Sequence, residues 1–287
     1  MKVTIVDAFT RTPGAGNRAG VVLDAAGIGE DQMQAAARAV AASETAFVAA
    51  VGDEVHLRYF TPGEEVPFCG HATVATFHLL AERGLLAAPS CPTLVCKSGR
   101  LAVDVEATEQ GTRAWIETPL APFVPCPIGA EQLFALLGGE ARARDPELPL
   151  LRSGWKIFVP LARQSDLFAL APRYRALAAA GREHGVTGFY AFTREVSEPG
   201  STVSARFFAP ALGVREDPAT GAASGPIGKY LVEQGVVTAP ARLRAEQGDA
   251  MGKPGRIDIE VNGQGRSVER VRIGGNAVTV LEGTLRL

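Results

Sequence analysis

Residues 55–69, Val-His-Leu-Arg-Tyr-Phe-Thr-Pro-Gly-Glu-Glu-Val-Pro-Phe-Cys, align without a gap on residues 203–217, Val-Ser-Ala-Arg-Phe-Phe-Ala-Pro-Ala-Leu-Gly-Val-Arg-Glu-Asp. Five of the fifteen positions are identical: Val55/Val203, Arg58/Arg206, Phe60/Phe208, Pro62/Pro210 and Val66/Val214. Tyr59 and Phe207 add an aromatic match. Each copy opens as a β-prone run, passes through a proline-containing loop and ends where a glycine-rich segment starts a helix. That shared context makes duplication a better reading than chance. A chain of two like halves is expected to have a cleft between them, where two related loops face one another.

Outward from the first copy, residues 3–9, 20–23 and 46–51 read as strands, and 28–42 reads as an Ala- and Gln-rich helix. Residues 72–83 read as a second helix, stopped by Gly84. Strands at 93–106, with a turn at 97–100, and at 112–120 finish the first half. The segment 121–129 carries three prolines and is the expected linker. Beyond it come a short helix at 131–137, a strand at 155–161, a helix at 173–180, a strand at 188–196 and a helix ending near Gly235. Two strands, 256–261 and 277–287, close the chain. The expected halves are 1–120 and 121–287, with the last strand, about 276–287, returning to the first half.

Composition narrows the function. Hydrophobic residues make up 46% and charged ones 21%, with a net charge of −2, so a real core is expected and a nucleic-acid partner is not. No apolar run approaches the ~20 residues that cross a bilayer, and the N-terminus reads as a strand rather than a signal peptide, which makes the cytoplasm the default location. The four cysteines form no CxxC pair and no HExxH is present, so no metal is expected. GAASGPIGKY (221–230) imitates a phosphate loop, but its first glycine position falls on Ala223, and Tyr230 replaces the Ser/Thr that would meet magnesium. A G-x-S-x-G elbow is absent as well, which removes support for a serine hydrolase.

Both repeats end at helix starts, CGHAT (69–73) and DPATG (217–221). Small residues there would let a carboxylate reach the unpaired first-turn N–H groups at the positive end of the helix dipole. Cys69 and Asp217 share one register, so epimerisation by two matched thiols is excluded. Cys69 by itself reads as a small buried apolar residue. Glu44 stands where the first long helix gives way to a strand, a place that is either surface or cleft. In a closed apolar cleft its pKa would rise towards a value suited to taking and returning a proton. His71 at a helix N-terminus is expected to stay neutral and donate a hydrogen bond while Asp217 accepts one.

Taken together, VDAFT (6–10), GN (16–17), MQ (33–34), SETAFV (43–48), FTP (60–62), CGHAT (69–73) and FFAP…GVREDPATGAASGP (207–226) resemble the phenazine-biosynthesis PhzF-like family in order across nearly the whole chain. The resemblance implies an α/β (α+β) diaminopimelate epimerase-like fold: two pseudo-symmetric halves, each a barrel-like, mostly antiparallel sheet around a central helix. It implies an isomerase of the kind acting on trans-2,3-dihydro-3-hydroxyanthranilate, using neither metal nor organic cofactor and working as a homodimer on a small carboxylate-bearing substrate. Glu44 resembles the acid/base that moves a proton from C3 to C5 of the ring. His71 and Asp217 resemble the groups that orient substrate, and Ser43, Gly70 and Gly221 resemble the backbone-lined wall. Asn17, Thr73, Thr220 and Ala222 complete the implied binding set. Two positions depart from the family pattern: Ala222 replaces the serine of T-G-S, and Arg18 replaces the proline of G-N-P. A racemase or epimerase using other bases, and a paralogue that binds a small carboxylate without turnover, are the alternatives.

Overall fold

The computed structural model describes residues 1–109 and 111–286. In chain order its elements are β1 (Lys2–Ala8), β2 (Asn17–Val22), α1 (Glu30–Val40), β3 (Glu44–Ala50), β4 (Glu54–Phe60), β5 (Glu65–Val66), α2 (Gly70–Glu82), β6 (Thr93–Cys96), β7 (Gly99–Thr108), β8 (Gly111–Glu117), β9 (Phe123–Pro125), α3 (Ala130–Leu137), β10 (Leu151–Ser153), β11 (Lys156–Leu161), α4 (Gln164–Ala169), α5 (Tyr174–Glu183), β12 (Gly188–Thr193), β13 (Val203–Ala209), β14 (Val214–Asp217), α6 (Gly221–Glu233), β15 (Ala239–Gln247), β16 (Gly255–Gly265) and β17 (Ser267–Thr284). They form two compact units, one made of residues 1–117 with the chain from Ile273 onward, the other of residues 118–272. No helix among the described residues is long and apolar enough to cross a membrane.

The first unit is a closed barrel of eight strands. β1 pairs antiparallel with β2, β2 parallel with β3, β3 antiparallel with β4, β4 parallel with β6, β6 antiparallel with β7 and β7 antiparallel with β8. The second part of β17 pairs with β8 and runs antiparallel to β1, from Ala8↔Ala277 to Lys2↔Thr284, which closes the circle. α2 fills the interior. Its residues His71–Ala75 and Thr76, Phe77, Leu79 and Leu80 are buried around the whole circumference, the pattern of a helix with no solvent face. α1 covers the barrel from outside, laying Met33, Ala36 and Ala37 against Val3, Val22, Phe47 and Phe60.

The second unit repeats the order of pairings: β10–β11 antiparallel, β11–β12 parallel, β12–β13 antiparallel, β13–β15 parallel and β15–β16 antiparallel. α6 is its central helix, thirteen residues long like α2. The two helices end alike. Gly84 and Gly235 take φ of 67° and 75°, and the N–H of the next residue returns to Leu80 and Leu231 respectively. Segment 121–129 is not a linker: Phe123–Pro125 forms β9, paired with β10, so this stretch belongs to the second unit's sheet. β15 had no counterpart in the sequence reading because Ala, Arg, Glu and Gln favour helices. Partners on both sides, β13 and β16, make it a strand.

Candidate active site

Three elements of the first unit bring their starts together. Parallel pairing of β2 with β3 sets Ala19 opposite Glu44, so Asn17 and Glu44 lie at the same end of neighbouring strands. α2 runs against β2 and begins there with Gly70 and His71. His71 Nε2 consequently lies 3.2 Å from Glu44 Oε2 and 3.1 Å from Ser43 Oγ, while Asn17 reaches Nδ1 at 3.4 Å. The Ser43 hydroxyl donates to the Arg18 carbonyl, so towards the imidazole Ser43 can only accept. Nε2 therefore carries a hydrogen, which goes to Ser43 Oγ, and Glu44 Oε2 lies beside it at ion-pair distance, buried and without a hydrogen-bond partner among the described residues. Cys69 Sγ sits beside the same ring, 3.4 Å from Nδ1 and 3.8 Å from Nε2.

The charges differ from the sequence expectation on two counts. Burial does push the Glu44 carboxyl upward, but the His71 charge and the polar groups beside it outweigh that and hold the group below its ordinary value of 4.5. Burial likewise opposes charge on His71, yet Cys69 and Glu44 beside it raise the imidazole well above 6.5. The Cys69 thiol is itself raised above 9.0, by burial and then by Glu44, so near neutral pH Glu44 is the anion that matters to His71. With the thiol neutral, Glu44 supports the proton on His71 against burial, and the directions of the two shifts favour an imidazolium facing a carboxylate that has 22% of its side chain open to solvent. A charged ring needs the Asn17 amide to turn its oxygen towards Nδ1.

Glu44, Cys69 and His71 also offer three ligand types within 4.8 Å of one another. Sγ is almost equidistant from the two ring nitrogens. It lies alongside the imidazole, and a cation on either nitrogen's in-plane lone pair would be well beyond the ~2.3 Å of a zinc–sulfur bond. As placed, the trio is a hydrogen-bonding cluster and not a ligand set.

The remaining first-unit positions divide into those that face solvent and those that do not. Gly70 is partly exposed at a helix start that carries no side-chain cap. Thr73 is fully buried: its hydroxyl donates to the Cys69 carbonyl at 2.7 Å and accepts from Tyr59 at 2.6 Å, so it shapes the loop from within. Arg18 is committed to Asp7, with Nε at 2.8 Å from Oδ1 and Nη2 at 3.1 Å from Oδ2. That fork holds β2 against the buried Asp7 and keeps the Arg18 carbonyl where Ser43 needs it.

In the second unit the EDPATG loop connects β14 to α6. The Thr220 hydroxyl donates to Asp217 Oδ2, and the fully buried Gln247, at the end of β15, bonds to both residues. Gly221 is buried and Ala222 is exposed in the first helical turn, again without a side-chain cap. The glycines that imitated a phosphate loop have a packing role. A Cβ on Gly225 would come within 2.2 Å of Thr118 Oγ1, and one on Gly228 within 2.8 Å of Ile259. Gln247, remote in sequence and inside an unassigned strand, carries no local signal that could have marked it.

With this geometry in hand, comparison with known proteins is specific. A family model described as phenazine biosynthesis-like protein, PhzC-PhzF, matches residues 6–283. The chain is 37% identical to the uncharacterised isomerase YddE of Escherichia coli O157:H7, over 95% of this chain and 94% of that protein. It is 31% identical to trans-2,3-dihydro-3-hydroxyanthranilate isomerase of Pseudomonas chlororaphis, over 99% and 98%. A crystal structure of a PhzF-family protein from Bacillus anthracis superposes with a TM-score of 0.92 at 32% identity, covering 100% of this chain and 99% of that one. A hydroxyproline epimerase from Agrobacterium vitis, at 11% identity and a TM-score of 0.62, shares the fold alone.

Proposed function

Because the chain belongs to the PhzC-PhzF family and is an isomerase, we propose that it moves a proton within a small cyclic carboxylate, with Glu44 as the group that takes and returns it. The observation that carries this reading is the Glu44 carboxylate 3.2 Å from His71 Nε2, a contact that favours its ionised form. A base must be unprotonated at rest, as that form is. Once it has accepted a proton it no longer neutralises His71, and each unit of pKa depression makes the neutral acid ~1.4 kcal/mol readier to give the proton up. The pair therefore favours a brief stay and a prompt return, at another carbon reached from the same face. That is a positional shift rather than an inversion.

The relative from Pseudomonas chlororaphis supplies the first substrate to try, trans-2,3-dihydro-3-hydroxyanthranilate. Asp217, Asn17, Ser43 and the N–H groups of Gly70 and Gly221 are the proposed binding groups. The family resemblance extends the proposal to a cytoplasmic homodimer without metal or organic cofactor. In D₂O the wild-type chain is expected to place deuterium on the ring during turnover. Glu44→Gln should lower that incorporation by at least ~10²-fold, the usual share of a general base. Incorporation at the wild-type rate by a folded Glu44→Gln would end the proposal.

A further inference from the structure

Gln247 is tightly constrained within the second unit by three hydrogen bonds. It is fully buried, and its amide orientation is fixed by its partners. Oε1 accepts from the Thr220 backbone N–H at 3.2 Å, and a backbone N–H can only donate. Nε2 donates to the Asp217 carbonyl at 2.6 Å, and a carbonyl can only accept. The other Nε2 hydrogen goes to Thr220 Oγ1 at 3.0 Å. That bond uses Thr220 as an acceptor, so its single hydroxyl hydrogen is left for Asp217 Oδ2. Oδ2 must accept and cannot hold the proton of a carboxylic acid. The surrounding backbone is pressed close: a Cβ on Gly248 would lie 2.6 Å from the Pro218 carbonyl, and one on Gly255 2.9 Å from Ala219 Cβ.

We infer that Gln247 is a positioning residue of this isomerase: through Thr220 it sets the direction of a hydrogen-bond chain that holds the Asp217 carboxylate in place as an acceptor. The inference rests on the proposed role of Asp217 in orienting substrate. Gln247→Met removes both donors and the acceptor at similar size. Gln247→Glu keeps the acceptor for the Thr220 N–H but has no amide donor, and serves if the methionine variant does not fold.

Two measurements test it. Hydrogen exchange needs no substrate. The Thr220 amide should exchange at least ~10-fold faster in Gln247→Met, as expected when a buried hydrogen bond worth ~1.4 kcal/mol or more is lost, and an unchanged rate overturns the inference. In the deuterium-incorporation assay, Asp217→Asn, Thr220→Val and Gln247→Met should each raise KM about tenfold with kcat within about twofold. Thr220→Ser should restore the wild-type value, and Gln247→Met should add nothing to Asp217→Asn. If Asp217→Asn raises KM while Gln247→Met does not, the chain through Gln247 is refuted and the role of Asp217 stands. If Asp217→Asn has no effect, the role of Asp217 falls, and the positioning role with it.

Discussion

At the scale of single residues, the site turns on two opposite shifts. Glu44 is depressed below 4.5 and His71 is raised well above 6.5. A depressed carboxylate contributes stability that is present above its unfolded value and lost as pH falls through its folded one. A raised imidazole contributes stability present below its unfolded value and lost as pH rises through its folded one. Both members are therefore charged across the whole span from 4.5 to 6.5 and some way beyond each end. The rate of deuterium incorporation should be flat across that span and fall only outside it. An inflection inside it that disappears in Glu44→Gln would contradict the ion pair. The identity of these residues was legible in the sequence because SETAFV and CGHAT are motifs. Their charge states were not, since sign and size depend on a 3.2 Å contact between residues far apart in the chain. For the same reason Cys69, read as a small apolar filler, turned out to border the imidazole.

At the scale of elements, the repeat that opened the reading has a physical cause. Arg58 lies over the ring of Phe60 and binds Glu65 on β5; Arg206 lies over Phe208 and binds Glu216 on β14. Each identical Arg–Phe pair thus clamps the short strand that leads to its helix start, whereas the acidic partner drifts in register and escapes an ungapped alignment. The central helices were legible through their lengths and stops, but the reason for the glycines inside α6 was not. Gly228→Ala should cost about 1–3 kcal/mol by overpacking against Ile259 and Val261, while Gly52→Ala, where a Cβ meets nothing, should stay within about 0.5 kcal/mol. Denaturant titration of the two variants checks the contrast, and equal costs would remove the packing explanation.

At the scale of the molecule, the second unit is inserted in sequence between β8 and the part of β17 that closes the first unit's barrel. A chain ending at residue 272 would leave β1 and β8 each with one bare edge. Amide exchange in β1 should then approach that of an unfolded strand, while protection in β11 to β13 persists. Full protection of β1 in the truncated chain would show that the barrel does not need β17. The return of the last strand, about 276–287, to the first half is among the sequence expectations, but its pairing with β1 and β8 was not legible, because a strand's sequence records which faces are buried and not which neighbour it pairs with.

The closing position of β17 also imposes a timetable on biosynthesis. The ribosome releases β1 to β8 and must then translate the entire insertion before residues 273–284 exist, roughly 10–30 s at ~5–20 residues per second. Throughout that interval the nascent barrel stands open along one seam, with two strands offering unpaired amides to any neighbour. Glu44 and its neighbours Asn17, Ser43, Cys69 and His71 thus emerge early, well before the strand that closes the barrel carrying them.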